Sequence, residues 1–162
     1  MLPVMVLVEE GKVDTAIAGF GQLGKQLKAF TAREKFTGKS GQLFVFPTSD
    51  TSASYILLVG LGKRDKLTPY TFRKYVASAA SVAQKKHIET LAVVMPQTSF
   101  GDEATAQMIA EAVVLGTYRF TNYKSKESQK DHTEIITVTF VTSAKQINAV
   151  QKGVDQAVLT SQ

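Results

Sequence analysis

Hydrophobic positions along the chain follow two spacings, one typical of strands and the other typical of helices. Apolar runs predict five strands, at Val4 to Glu9, Leu43 to Phe46, Tyr55 to Val59, Leu91 to Met95 and Glu134 to Val141. The third run is apolar throughout, which is typical of a strand covered on both faces. The fifth alternates apolar and polar residues, so we expect it to expose one polar face.

Apolar residues recurring at three and four positions predict four helices. The first three are expected to start at about Leu23, Pro69 and Glu103, and Ser143 is the expected cap of the last. Thr68 precedes a proline at the first helical position, a combination that favours a capped helix start, and Asp102 is the expected cap of the third helix. Glycines at 19, 21 and 24 weaken the first helical pattern, so we expect a turn there before a helix that reaches Arg33.

Strands that alternate with helices across short connections indicate an α/β fold in three layers, with helices on both faces of a mixed, mostly parallel sheet. At 162 residues the chain fits a single domain, residues 1–162. The last helical pattern, about residues 143–162, continues to Val158 without a glycine or proline stop. That feature suggests a polypeptide cut inside a longer protein, in which this helix leads to a further domain that this sequence does not contain.

Composition narrows the class of protein. The chain is 44% hydrophobic and 20% charged, as in folded globular proteins. It has no cysteine, which excludes disulfides, thiolate metal sites and cysteine nucleophiles, and which is compatible with a reducing cytoplasm. The apolar start, Met1 to Val8, has no basic lead-in and ends at Glu9, so it predicts a strand and not a signal peptide. No apolar run has the length of a membrane span, and we expect no membrane partner.

A net charge of +5 raises the question of nucleic acid binding. Only four of the 19 cationic residues are arginines, and the lysines fall in small scattered groups. The groups are Lys63-Arg64-Lys66, Lys85-Lys86 and Lys124-Lys126-Lys130. A solvated basic surface is the favoured interpretation, with weak binding of nucleic acid as the alternative.

The stretch FTGKSGQLFVF contains Gly38-Lys39-Ser40, which resembles part of a phosphate-binding loop. That motif needs a glycine five residues before Gly38 and a helix after the loop. Arg33 occupies the first position, and a predicted strand follows. We therefore interpret the stretch as a flexible turn before a strand.

Few residues are candidates for catalysis or metal binding. His87 and His132 are the only histidines, and each stands beside a lysine or an acidic residue in a polar segment, so both are predicted at the surface. Asp102-Glu103 fits helix capping better than acid–base chemistry. Glu111 lies in an apolar helical stretch, and we expect it to pair with an arginine or lysine at the domain edge, although a buried functional carboxylate is the alternative. We assign no catalytic, cofactor-binding or metal-binding residue.

Gly60 and Gly62 follow the third predicted strand, at the end where open α/β sheets bind ligands. A sharp turn leaving the strand accounts for both glycines. Binding of a nucleotide at Gly60-Leu61-Gly62-Lys63 stays open as the alternative.

Three stretches, in order, resemble the N-terminal domain of the leucyl aminopeptidase (cytosol aminopeptidase) family. They are YILLVGLGK at 55–63 with the helical FRKYVASAAS after it, AEAVVLGTYRFTNYK at 110–124, and the final helix around Gln151 to Val154. The second departs from the family pattern at Ala112, where many members have an inserted or substituted glycine. The resemblance covers roughly residues 55 to 158, and residues 1–54 fit more loosely.

The resemblance implies a macro-domain-like α/β fold and a non-catalytic role in a larger cytoplasmic hydrolase. In this family two divalent metals (zinc or manganese), the catalytic lysine and arginine and the NTDAEGR motif belong to the C-terminal domain, and none of those motifs is present here. The resemblance also implies a homo-hexameric metalloprotease in which the N-terminal domain contacts its own catalytic domain and sister subunits. A macro-like module that binds a nucleotide, ADP-ribose or nucleic acid is the alternative function.

Overall fold

A computed structural model describes residues 3–48, 55–117 and 137–161. Its five strands are β1 (Val4–Glu9), β2 (Leu43–Pro47), β3 (Tyr55–Gly62), β4 (Thr90–Val94) and β5 (Thr137–Val141). They form one sheet in the order β2-β3-β1-β4-β5, in which only the β2–β3 pair is antiparallel. The predicted mixed, mostly parallel sheet is thereby confirmed.

The described residues form five α-helices: α1 (Val13–Ile17), α2 (Gln22–Arg33), α3 (Pro69–Lys85), α4 (Asp102–Thr117) and α5 (Ile147–Ser161). The pattern predicted four of them. It missed α1, which has five residues and is followed by a 3-10 turn at Ala18–Phe20, where the predicted turn near the glycines lies. A helix this short has too few positions to show a periodic pattern.

Alternate residues of β1 point into two separate hydrophobic cores. On one face Val4, Val6 and Val8 pack with Ile17 of α1 and Leu27 of α2. On the other face the core contains the remaining inward residues of β1 together with apolar residues of α3, α4 and α5. Helices therefore cover both faces of the sheet, which confirms the three-layer prediction.

The start of α3 is capped as its sequence predicts. Thr68 Oγ1 accepts a hydrogen bond from the Thr71 backbone N–H at 3.1 Å, and the Thr71 hydroxyl accepts one from the Thr68 N–H at 3.1 Å. Pro69 occupies the first helical position, where no N–H is needed. This reciprocal capping box satisfies N–H groups that the first turn of the helix leaves without a partner.

The starts of α4 and α5 are joined by side chains, and this corrects the expected role of Asp102. Asp102 is itself the first residue of α4, and the Gly101 carbonyl accepts from the Thr105 N–H at 3.0 Å. The Asp102 carboxylate instead accepts from Gln146 Nε2 at 3.1 Å. Gln146 Oε1 also accepts from the Ser143 N–H at 3.3 Å, so the predicted cap residue Ser143 opens a turn and α5 begins four residues later.

None of the helices in the described ranges is both long enough and apolar enough to span a membrane.

Candidate functional site

Gly60 and Gly62 belong to β3, which corrects the prediction that the strand ends at Val59 in a sharp turn. The loop Gly38 to Gln42 lies directly against this end of β3: the Gly60 N–H donates to the Gln42 carbonyl at 2.7 Å, and the Gly62 N–H donates to the Gly38 carbonyl at 2.8 Å. A Cβ on Gly60 would overlap the Lys39 carbonyl oxygen. The glycines therefore admit the chain's own loop, and that loop fills the space where a ligand was considered.

The Gly38-Lys39-Ser40 loop leads into strand β2, as predicted, and not into a helix. Backbone bonds to β3 hold it, together with Gln42 Oε1, which accepts from the Thr37 and Lys39 N–H groups at 3.1 and 3.0 Å. Gln42 thus occupies the Lys39 N–H of the loop and the Thr37 N–H just before it. The predicted turn before a strand is therefore present, and backbone hydrogen bonds attach it to the end of β3.

Glu111 pairs with an arginine, as expected. Arg73 Nη2 of α3 lies 3.8 Å from Glu111 Oε1 of α4, and the two side chains are 45% and 25% exposed. The same oxygen has no hydrogen-bond partner among the described residues. A partly exposed pair at this distance contributes little to stability, roughly 0 to 1 kcal/mol.

The other candidate residues are separated in the structure. His87 is exposed just beyond α3, as predicted, and its backbone has a φ of 60°. Asp102 is half-buried against Gln146, whereas Glu103 is exposed. Within the described ranges no three histidine, aspartate or glutamate side chains are grouped closely enough to hold a metal ion. His132 lies outside the described residues.

The lysine groups at 63–66 and 85–86 are exposed, as a solvated basic surface requires. Lys86 Nζ lies 5.1 Å from the centre of the Tyr55 ring, a cation–π contact. The group Lys124-Lys126-Lys130 lies outside the described residues.

A pocket lies at the carboxyl ends of β1, β3 and β4. Its volume is about 540 Å³. Chain segments leaving β1 form helices on one face of the sheet, whereas α3 and α4, which follow β3 and β4, pack on the other face. Such a change of side opens a crevice at the strand ends, the place where open α/β sheets bind ligands.

The pocket has an apolar floor and a charged rim. The floor residues are Val6, Leu7, Leu61, Val94, Met95 and Pro96. The polar rim residues are Glu9, Lys12, Thr15, Arg64 and Gln97. The sequence pointed to this end of the sheet and to a stretch that includes Leu61, but it did not identify the rim. The rim residues come from three separate segments, at 9–15, 64 and 97, which only the strand order brings together.

Hydrogen bonds fix the segment that follows the lining residue Gln97. Thr98 and Thr105 hydroxyl oxygens lie 2.7 Å apart, and the Thr105 hydroxyl donates to the Gly101 carbonyl at 2.6 Å. Arg64 Nη2 donates to the Thr98 carbonyl at 3.1 Å. Arg64 follows β3 and Thr98 follows β4, with β1 between them, so the arginine side chain crosses the end of β1.

Comparisons with a family model and with related sequences point to the same protein family. The model of the cytosol aminopeptidase family, N-terminal domain, matches residues 4–127. A protein described as "Probable cytosol aminopeptidase" from Aquifex aeolicus is 31% identical over 127 residues, which is 78% of this chain and 26% of that protein. A protein of the same description from Desulforapulum autotrophicum is 31% identical over 160 residues, covering 91% of this chain and 31% of that protein. The chain thus spans about a quarter to a third of these relatives.

Solved structures agree on the fold. The bottromycin maturation enzyme BotP matches 99% of this chain and 31% of its own, with a TM-score of 0.67 and 25% identity. A mutant of tomato leucine aminopeptidase matches 97% of this chain and 33% of its own, with a TM-score of 0.72 and 19% identity, a likeness of fold alone. With a family model matched over residues 4–127, the chain belongs to the cytosol aminopeptidase family and corresponds to its N-terminal domain.

Proposed function

We propose that this chain is a non-catalytic N-terminal domain of a metal-dependent aminopeptidase that removes N-terminal amino acids from peptides. The observation that carries the proposal is the match of residues 4–127 to the family's N-terminal domain. The two divalent metals, zinc or manganese, and the catalytic side chains are proposed to belong to the C-terminal domain of the whole protein. We place the whole protein in the cytoplasm.

Carboxylates in the described residues support the non-catalytic part of this proposal. Asp102 accepts from Gln146, Asp155 accepts from Gln151 at 2.9 Å, and Glu34 contacts Arg33 at 3.5 Å. Two-metal hydrolysis needs carboxylates that converge on a shared pair of ions. Here these carboxylates each contact a neighbouring side chain at a different place in the fold.

The test is an aminopeptidase assay of the purified 162-residue chain with leucyl and other aminoacyl substrates, in the presence of Mn²⁺ or Zn²⁺. We expect release of the N-terminal amino acid at the rate of the metal-only control. The whole protein, assayed in parallel, should be active. Turnover by the 162-residue chain above the metal control would contradict the proposal.

We further propose that the domain contributes to the assembly of subunits, consistent with a hexameric whole protein. Ile147, at the start of α5, is 57% exposed, and Val141, at the end of β5, is 49% exposed. Large apolar side chains exposed near the same β5–α5 connection are a feature of surfaces that a partner covers. A sister subunit is the proposed partner.

Ile147→Lys in the whole protein should shift its sedimentation toward smaller species, because a charge at a subunit contact is costly to bury. Asn148→Lys is the matched control, since it adds the same charge at the next exposed position of α5. Unchanged sedimentation of Ile147→Lys, or an equal shift in both variants, would remove Ile147 from the proposed contact.

A further inference from the structure

The pocket at the ends of β1, β3 and β4 combines an apolar floor with rim charges of both signs. Lys12 and Arg64 are cationic, and Glu9 is anionic. A wholly anionic ligand would be repelled by Glu9, and a wholly cationic one by the two basic groups. A ligand with a carboxylate, an ammonium group and an apolar body matches all three features of the pocket.

Glu9 and Lys12 are brought together by a tight turn at the end of β1, in which the Lys12 N–H donates to the Glu9 carbonyl at 3.0 Å. Arg64 reaches over the same strand end, because its guanidinium is bonded to the Thr98 carbonyl on the far side. That bond uses one N–H of a group that has five. The remaining donors can form a charge-assisted contact with a carboxylate in the pocket.

The size of the pocket favours more than a single amino acid. Its volume of about 540 Å³ falls in the range of roughly 300 to 1,000 Å³ that holds ligands of drug size. Floor residues such as Leu61 and Met95 are buried, so an apolar side chain placed on them would lose its contact with water.

We propose that this pocket binds a short peptide with free termini, its carboxylate on Arg64 and Lys12, its ammonium group on Glu9 and an apolar side chain on the floor. The proposal stands on the pocket and does not rest on the proposed function. A chain without aminopeptidase activity can still bind a peptide. The activity assay therefore tests only the proposed function, and the binding experiment tests only the pocket.

The experiment titrates the 162-residue chain, labelled with ¹⁵N, with the dipeptide leucyl-leucine while amide spectra are recorded. We expect saturable shifts at the ends of β1, β3 and β4, with dissociation in the range of about 1 mM, which corresponds to about −4 kcal/mol. Leucyl-leucine amide and N-acetyl-leucyl-leucine each lack one charged end and should bind at least about tenfold more weakly, the loss expected for one charge-assisted hydrogen bond.

Two pairs of variants assign the ends of the peptide. Arg64→Gln should weaken binding of leucyl-leucine about tenfold and have little effect on its C-terminal amide. Lys63→Gln, at the neighbouring exposed position outside the pocket lining, should leave both affinities unchanged. Glu9→Gln should weaken binding of the free dipeptide but not of its N-acetyl form, with Glu10→Gln as its control.

The proposal is overturned if the dipeptide causes no saturable shift at about 10 mM, well above the expected dissociation constant. It is also overturned if both blocked peptides bind as well as the free one, or if Arg64→Gln and Lys63→Gln behave alike. Saturable shifts with adenosine diphosphate but not with the dipeptide would show that the pocket binds a nucleotide and not a peptide.

Discussion

Gly60 is a residue whose side chain is excluded by a distant part of the chain. It lies inside β3, and the backbone of Lys39 and Gly38 occupies the space that a Cβ would need. The sequence placed a strand here but ended it at Val59, because glycine usually marks the end of a regular element. The residues next to Gly60 in the sequence do not indicate its contact with Lys39. The reason for glycine at this position is therefore visible only in the folded structure.

Gly60→Ala should destabilise the protein by about 1 to 3 kcal/mol or more, because the Cβ would overlap backbone atoms that cannot rotate away. The Gly38 carbonyl carbon would lie only 2.8 Å from it. Urea unfolding followed by circular dichroism measures the change. Gly19→Ala is the control, since no heavy atom lies within 4 Å of its Cβ position, and it should cost nothing or stabilise by up to about 1 kcal/mol. Equal midpoints for the two variants would contradict this explanation.

At the scale of elements, the sequence predicted strands and helices well where apolar spacing is long and regular. Strand β1 matches its predicted bounds, and α3 begins at Pro69 because Thr68 and the proline define that start locally. The short α1 was missed. The sequence predicted that Glu111 would pair with a basic residue. It did not predict the bond from Gln146 to Asp102 that joins the starts of α5 and α4.

Helices α4 and α5 are in close contact at Gly153. A Cβ there would overlap the Glu103 carbonyl oxygen and lie 2.9 Å from the Gln107 backbone nitrogen and 3.0 Å from the Ala106 Cβ. This close approach lets the two helices share the core that contains Val150 and Ile109.

Gly153→Ala should therefore destabilise the protein by about 1 to 2 kcal/mol through overpacking, although alanine alone favours a helix by about 1 kcal/mol over glycine. Thermal unfolding should show a midpoint lower by several degrees, at about 2 to 4 °C per kcal/mol for a chain of this size. Lys152→Ala, at the exposed neighbouring position, should change stability by less than about 0.5 kcal/mol. A higher midpoint for Gly153→Ala would show that helix propensity outweighs the contact.

At the scale of the whole molecule, the sheet order places β1 at the centre and β2 and β5 at the edges. The layers and the parallel character of the sheet were predictable, because buried strands alternate with helices along the chain. The pocket was not, because Glu9, Arg64 and Met95 are distant in sequence and meet only through that order. The likeness to macro domains and the binding of nucleic acid stay predictions.

Hydrogen exchange should follow the sheet order. Amides of β1, which is paired on both sides, should exchange slowest and those of β5 markedly faster, because edge strands open without disrupting the two cores. Exchange followed by mass spectrometry or NMR on the 162-residue chain measures the order. Protection in β5 equal to that in β1 would mean that the sheet opens as one unit.

The register of β1 has a consequence for synthesis on the ribosome. Val4 pairs with Ile56 on one side and with Ala92 on the other, so β1 is made well before the partner strands, which are encoded far downstream. Contacts between such distant residues slow folding, and exposed apolar strands favour aggregation while they wait. A nascent chain halted before β4 emerges would keep one edge of the apolar strand β1 unpaired, which makes the early chain a candidate for chaperone binding.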